Sequence, residues 1–239
     1  MGQPRFLPSR RRLGDLDAAL TSLLEAERIQ VATKTRDTID GASIDVGLAS
    51  LHKDKGDMQA ALAAYERARS TFIAAGAAET KNMAFCLMDL ANLLRELSLE
   101  PDASVTDLQD QAMRYFRVAK QIMMSSASYE SPGGAGVVKG IANIFLDRGD
   151  SSAALENFRE ARRIRDATGT LDNSFGAVLV TTIGAVLLEQ GGPGATNEAQ
   201  ASFEEAKSIL EGINHPRDTP EFRVLLEKVD LLHKALEPE

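Results

Sequence analysis

The side chains best suited to binding chemistry are two asparagines and a lysine. Asn92 and Asn143 carry amides that can both donate hydrogen bonds to an extended peptide backbone and accept them from it. Lys139 precedes Asn143 by four residues, a spacing that places both side chains on one face of a helix. The pattern indicates recognition of a peptide, and the competing interpretation of each position is an ordinary solvated polar residue.

Catalysis and metal binding have less support in the sequence. The three histidines, His52, His215 and His233, are far apart, and the single cysteine, Cys86, falls in an apolar helical pattern that favours a core position. The sequence has no serine, cysteine or metal hydrolase motif. Two glycine-rich segments, 131–136 and 191–194, lack the ending of a phosphate-binding loop and are predicted to connect helices. We therefore expect no catalytic residue, no cofactor and no metal.

Composition and charge narrow the class of protein. The chain has 239 residues, of which 44% are hydrophobic, enough for one elongated array or one large domain. Its apolar runs are shorter than the roughly 18 residues that a membrane-spanning helix needs. A net charge of -8 disfavours nucleic acid, whose phosphates require clustered basic residues. We expect a cytoplasmic protein whose partner is another protein, with no nucleic acid and no membrane.

The N-terminal segment is basic, because it contains Arg5, Arg10, Arg11 and Arg12 before the first acid. Residues 1–12 are predicted to form a basic disordered tail, with a targeting signal as the alternative.

A repeated phrase marks the helices that must position the asparagines and the lysine. The pattern Gly-Asp-x-x-Ala-Ala-Leu begins at Gly14, at Gly56 and at Gly149. Glycine suits the left-handed residue that ends one helix, and aspartate suits the cap that begins the next. Each copy therefore predicts a turn between two helices, and at the first copy the helix before the turn is missing.

Small and large residues recur in register around these turns. The helices before the turns carry a small residue at intervals of 42, 51 and 42 residues, namely Ala49, Ala91, Ala142 and Gly184. The helices after the turns carry an alanine and a ring four residues later: Ala61/Tyr65, Ala112/Phe116, Ala154/Phe158 and Ala199/Phe203. Small residues let paired antiparallel helices approach closely, while the ring fills the gap beside them.

This register resembles that of tetratricopeptide repeat (TPR) proteins, and the spacing of about 42 residues is similar to that of the kinesin light chain class. The resemblance covers nearly the whole chain. It implies an all-α fold, an α-solenoid of antiparallel helix pairs in a right-handed superhelix, with about ten helices.

The predicted array covers residues 13–239. It contains a half repeat at 13–35, full repeats at 40–75, 80–125, 135–168 and 174–212, and a C-terminal capping helix at 219–237, which the pair Thr219-Pro220 begins.

The resemblance also implies where a partner binds, since the first helix of each repeat lines the concave groove in TPR proteins. Counting from the small residues predicts eight groove residues: Val46, Ser50, Met88, Asn92, Lys139, Asn143, Thr181 and Ala185. Lys139 and Asn143 resemble part of the clamp by which chaperone-binding TPR domains hold a C-terminal carboxylate. The next first helix offers Val178, Thr181 and Thr182 instead of further basic residues, so we predict no tight binding to such tails.

We therefore predict a non-enzymatic protein-protein interaction scaffold that binds a peptide or helix of a partner in its concave groove. The alternative is a regulatory or assembly domain fragment of a larger enzyme or motor-associated protein. The uncapped N-terminal half repeat leaves an apolar surface, so self-association is a further expectation.

Overall fold

The structure is a computed structural model that describes residues 10–101 and 103–236, and these residues form ten α-helices and no strands. The helices are α1 (Arg10–Thr33), α2 (Ile39–Asp54), α3 (Met58–Ala74), α4 (Lys81–Leu97), α5 (Val105–Ser125), α6 (Pro132–Asp147), α7 (Ser151–Ala167), α8 (Ser174–Gln190), α9 (Pro193–Gly212) and α10 (Pro220–Leu236). Internal contacts divide the chain into unit 1, which ends at Ile122, and unit 2, which begins at Met123.

Helices that follow each other in the chain pack as antiparallel pairs. The first helices α2, α6 and α8 pack on the second helices α3, α7 and α9, and the short connections within each pair reverse the direction of the chain. In unit 1, α1 contacts α2, and α4 contacts both α2 and α3. In unit 2, α7 contacts α8, while α10 contacts α8 and α9.

The repeated phrase forms its predicted turn at two of its three places. Gly56 and Gly149 have φ angles of 84° and 78°, in the left-handed region that favours glycine. The carboxylates of Asp57 and Asp150 then accept a hydrogen bond from the backbone amide three residues later, at 3.0 Å in both cases, and so cap α3 and α7. The predicted roles of glycine and aspartate are confirmed at these two turns.

At the first copy the predicted turn is wrong, because Gly14 and Asp15 lie inside α1. A single glycine costs a helix interior only about 1 kcal/mol relative to alanine, and the alanine, leucine and arginine residues around it are strong helix formers. Helix α1 also begins at Arg10, inside the segment 1–12 that was predicted as a tail. Residues 1–9 lie outside the described residues.

The first helices share an N-cap that the sequence pattern did not reveal. The side chains of Thr38, Thr80, Ser131 and Asn173 each accept a hydrogen bond from the backbone amide three residues later, at the starts of α2, α4, α6 and α8. Segment 131–136, which was predicted as a connection, is therefore the capped start of α6. In segment 191–194 the connection is shorter than predicted, because α9 already begins at Pro193.

The second helices bury the residues that the register predicts. All four rings at the repeated position are at most 2% exposed: Tyr65, Phe116, Phe158 and Phe203. Their alanine partners, and the alanines one turn further on, are fully buried: Ala61, Ala68, Ala112, Ala119, Ala154, Ala161, Ala199 and Ala206. A Cβ atom added to Gly184 would lie 2.6 Å from Cε1 of Phe203, so the small residue is needed where the ring packs.

Helix α10 completes the core of unit 2. Its residues Phe222, Leu225 and Leu232 are at most 3% exposed and belong to the same cluster as Phe158 and Phe203. One side of α10 therefore covers apolar surface of α8 and α9, and the partly buried Val229 packs against the same cluster.

Candidate protein-binding surface

An open cavity of about 410 Å³ lies among α6, α8 and α10 in unit 2, and we call it the unit 2 groove. Leu146 of α6 and Val224 of α10 line it together with residues of α8. The complete lining is Leu146, Val178, Thr181, Thr182, Ala185, Val186, Glu189, Pro220, Glu221, Val224 and Lys228. Most of these side chains are apolar, so the groove can take up an apolar group from outside the chain.

Three charged side chains lie among the lining residues of the unit 2 groove: Glu189, Glu221 and Lys228. A hydrogen bond to the backbone at the start of α10 lowers the pKa of Glu221, and the neighbouring His215 acts in the same direction. Nε2 of His215 lies 3.4 Å from Oε2 of Glu221. Glu221 therefore stays ionised at neutral pH, and two acids and one base accompany the apolar lining.

Two of the four groove residues predicted in unit 2 line this groove, namely Thr181 and Ala185. Thr181 is only 6% exposed, and its hydroxyl donates to the carbonyl oxygen of Ala177 at 2.9 Å. The other two, Lys139 and Asn143, are half-buried on α6 and are not among the lining residues. Val178 and Thr182, which stand where a carboxylate clamp would need basic residues, do line it.

The four groove residues predicted in unit 1 lie on two helices that contact each other. Val46 and Ser50 are half-buried on α2, and Met88 and Asn92 are half-buried on α4. The hydroxyl of Ser50 lies 3.0 Å from that of Tyr65 and 3.1 Å from the carbonyl oxygen of Val46. Ser50 is thus engaged with the buried ring of its own repeat.

This unit 1 surface also carries charged groups that are not among the predicted groove residues. Nζ of Lys53 on α2 lies 2.6 Å from Oε1 of Glu96 on α4, so an ion pair joins the two first helices. Asp89, beside Met88 on α4, is half-buried, and burial raises the pKa of its carboxyl to about 6. The signal for Asp89 is its register position, which glycine or threonine occupies in the other repeats at Gly47, Gly140 and Thr182.

The histidines and the cysteine occupy separate environments. Burial raises the pKa of the Cys86 thiol to about 12, so the reactive thiolate is absent at neutral pH. Nδ1 of His52 lies 4.0 Å from Oδ2 of Asp57, and His215 pairs with Glu221. Across residues 10–101 and 103–236, no three His, Cys, Asp or Glu side chains are grouped so that they could hold a metal ion.

Within the described part of the chain, no helix combines the length and the apolar composition needed to cross a bilayer.

Comparisons with known proteins place the fold. No protein-family model matches the sequence, and no curated protein matches it significantly. Solved structures do match over nearly the whole chain. BtubC (BKLC) from P. vanneervenii has a TM-score of 0.64 at 17% identity, with 94% of each chain covered.

Two further structures agree with this match. A Podosopora anserina protein of the kinesin light chain type, with nearly identical TPR-like repeats, has a TM-score of 0.63 at 15% identity, covering 86% of this chain and 91% of that one. TTC0263, a thermophilic TPR protein of Thermus thermophilus, has a TM-score of 0.59 at 18% identity, covering 95% of this chain and 93% of that one. The predicted fold class is confirmed: the chain has the α-helical repeat fold of tetratricopeptide repeat proteins.

Proposed function

We propose that the chain is a non-enzymatic protein-interaction scaffold, and that its unit 2 groove binds an apolar side chain presented by a peptide or helix of another protein. The observation that carries the proposal is the open groove of about 410 Å³ with its largely apolar lining. Contact between apolar surface and water is unfavourable, so a partner that covers this surface forms a more stable complex.

A protein segment is the favoured occupant for two reasons. Repeat folds of this kind present extended surfaces that commonly bind other proteins. The groove is also walled by the first helices α6 and α8, which the TPR resemblance assigns to the binding side. Its acids and its lysine can form hydrogen bonds around an apolar anchor, and they thereby set the orientation of the bound segment.

The predicted asparagines add one candidate contact to each unit, Asn92 on α4 of unit 1 and Asn143 on α6 of unit 2. Both hold the register position of Ala185, and both are half-buried. Within its own unit, we assign each asparagine to hydrogen bonds with the backbone of a bound segment. The cytoplasmic location and the self-association stay predictions; for the latter, α1 offers Leu24, Ile29 and Val31, which are 48%, 49% and 61% exposed.

Filling the groove tests the proposal. Ala185→Trp places a large ring among the lining residues and should abolish capture of the specific partner, because the apolar anchor loses its place. Ala201→Trp is the matched control, since Ala201 is exposed on α9 and is not among the lining residues. Affinity capture with crosslinking and mass spectrometry would compare both variants with the wild type, and circular dichroism would check folding.

The proposal requires at least one protein that the wild type and Ala201→Trp retain and Ala185→Trp loses. Identical capture by all three proteins, or no specific capture by the wild type, would contradict it.

A further inference from the structure

Asp89 is a half-buried acid without a partner. It forms no hydrogen bond and no ion pair with any described residue. Its carboxylate oxygens are nevertheless accessible to solvent. In the described part of the chain, the only fully buried side-chain atoms that lack a hydrogen-bond partner are Gln30 Oε1 and Asp45 Oδ2, so the oxygens of Asp89 are not fully buried. Asp89 therefore combines a partly dehydrated carboxylate with access from outside, an arrangement that costs stability unless a donor or a cation arrives.

The groups around Asp89 do not supply that partner. Lys53 is the cation whose charge acts on Asp89, but its ammonium is held by Glu96 at 2.6 Å. The charge of Asp89 also acts on Tyr65 of α3 and Cys86 of α4, and Asp54 of α2 acts on Tyr65 as well. The Tyr65 hydroxyl already bonds to Ser50. A second cation, Arg69, acts on Cys86, and it is paired with Glu66 at 2.9 Å.

The repeat register relates this surface to the unit 2 groove. Counted from the turns at Gly56 and Gly149, Lys53 holds the place of Leu146, and Asp89 holds the place of Thr182. Asn92 and Glu96 likewise hold the places of Ala185 and Glu189. All four counterparts in unit 2 line the groove. Three of these four positions are therefore uncharged in unit 2, whereas three of the four are charged in unit 1.

We propose, resting on the interaction role proposed above, that Asp89 is a subsite for a cationic side chain, lysine or arginine, of the protein partner. The partner's ammonium or guanidinium donates hydrogen bonds to the Asp89 carboxylate, and the amide oxygen of Asn92 accepts another. The net charge of -8 attracts a basic segment and speeds its encounter with the chain. Lys53 keeps Glu96 neutralised and Asp54 is exposed, so that Asp89 is the half-buried acid left to pair.

Peptide display provides the test. A random peptide library would be selected on the wild type, on Asp89→Asn and on Asp40→Asn. Asparagine matches aspartate in shape, and Asp40 is an exposed aspartate on α2 that serves as the matched control. Peptides selected on the wild type and on Asp40→Asn should share a lysine or arginine at one position, and that preference should vanish on Asp89→Asn.

One selected peptide then allows a double-mutant cycle. Asp89→Asn, or replacement of the peptide's lysine by norleucine, should each weaken binding about tenfold or more, as expected for a hydrogen-bonded charge. The two changes together should weaken it no further than either alone. Circular dichroism would confirm that the variants fold.

Failure of this inference can be told apart from failure of the interaction role. Selected peptides that lose binding on Ala185→Trp, but bind Asp89→Asn as well as the wild type, would overturn the cationic subsite alone. If no peptide were selected on the wild type, both proposals would be overturned.

Discussion

Ionisation of Asp89 makes the folding stability of the chain depend on pH. Its carboxyl has a pKa of about 6 in the folded chain against an ordinary value of 3.8, because burial disfavours the charged form. Below pH 3.8 the group is mostly protonated in both the folded and the unfolded chain. Between pH 4 and 6 the unfolded chain ionises first, so stability falls as the pH rises through this range.

Asp89→Asn should remove that loss. Raising the pKa of Asp89 by roughly two pH units lowers the free energy of unfolding by at most about 3 kcal/mol. The variant should therefore have a larger free energy of unfolding than the wild type at pH 8, and match it near pH 3.5. Urea denaturation at both pH values measures the difference, with Asp40→Asn, in the exposed first turn of α2, expected to show no such gain at pH 8. An equal difference at both pH values would mean that ionisation of Asp89 is not its cause.

Asp45 shows what residue patterns do not reveal. It occupies a register position held by Leu87, Val138 and Val180, and it is 1% exposed. Its Oδ1 accepts hydrogen bonds from Arg36 at 2.6 Å and from Arg67 at 2.9 Å. Periodicity predicts that this position is buried, but the cations come from the α1–α2 connection and from α3, at separations that no repeat rule specifies. Neither the ion pairs of Asp45 nor the isolation of Asp89 could be read from spacing alone.

At the scale of the helix, turns and packing positions were predictable where several signals coincided. Gly56 and Gly149 are followed by a capping aspartate and preceded by a complete first helix, and both form turns. Gly14 has the same following residues but lies within a continuous helix. The phrase alone is therefore compatible with either structure, and the preceding segment decides between them.

Gly184 offers a test of the packing rule within one helix pair. Gly184→Val forces atoms toward the buried ring of Phe203, and overpacking of this kind should lower the unfolding free energy by about 1–3 kcal/mol. Gly212→Val is the matched control, because a Cβ there meets no atom within 4 Å. Valine has a somewhat higher helix propensity than glycine, so the control should be neutral or slightly stabilising. Equal destabilisation by both substitutions in thermal or urea unfolding would argue against the packing explanation.

At the scale of the whole molecule, the comparisons show the fold but not the binding surfaces. Structures that are 15–18% identical share the helical repeat over most of their length. Such low identity is expected when the fold depends on small residues, rings and caps at fixed register, while the exposed positions of the first helices vary freely. The sequence therefore predicted the helix pairs well, whereas the groove residues Val224 and Lys228 of α10 were not predicted. Their place depends on how α10 packs on α8, which lies outside the repeat register.

A repeat fold also predicts which helices lose stability when one residue is substituted. Each repeat is stabilised by its own core and its neighbours, so opening is local before it is global. Asp45→Ala should cost about 2–3 kcal/mol through the lost hydrogen bonds to two guanidinium groups. Hydrogen exchange should then accelerate in amides of α1, α2 and α3, while those of α8 and α9 keep their wild-type protection.

A substitution in unit 2 should give the converse exchange pattern. Gly184→Val should accelerate exchange in α8 and α9 and leave α2 and α3 protected, since its strain lies against Phe203 in the core of unit 2. Mass spectrometry of deuterated peptides from both variants resolves the two patterns, with Asp40→Asn and Gly212→Val as matched controls. If either variant accelerated exchange equally in all the described helices, the chain would open as one cooperative body, and the division into locally stabilised units would be wrong.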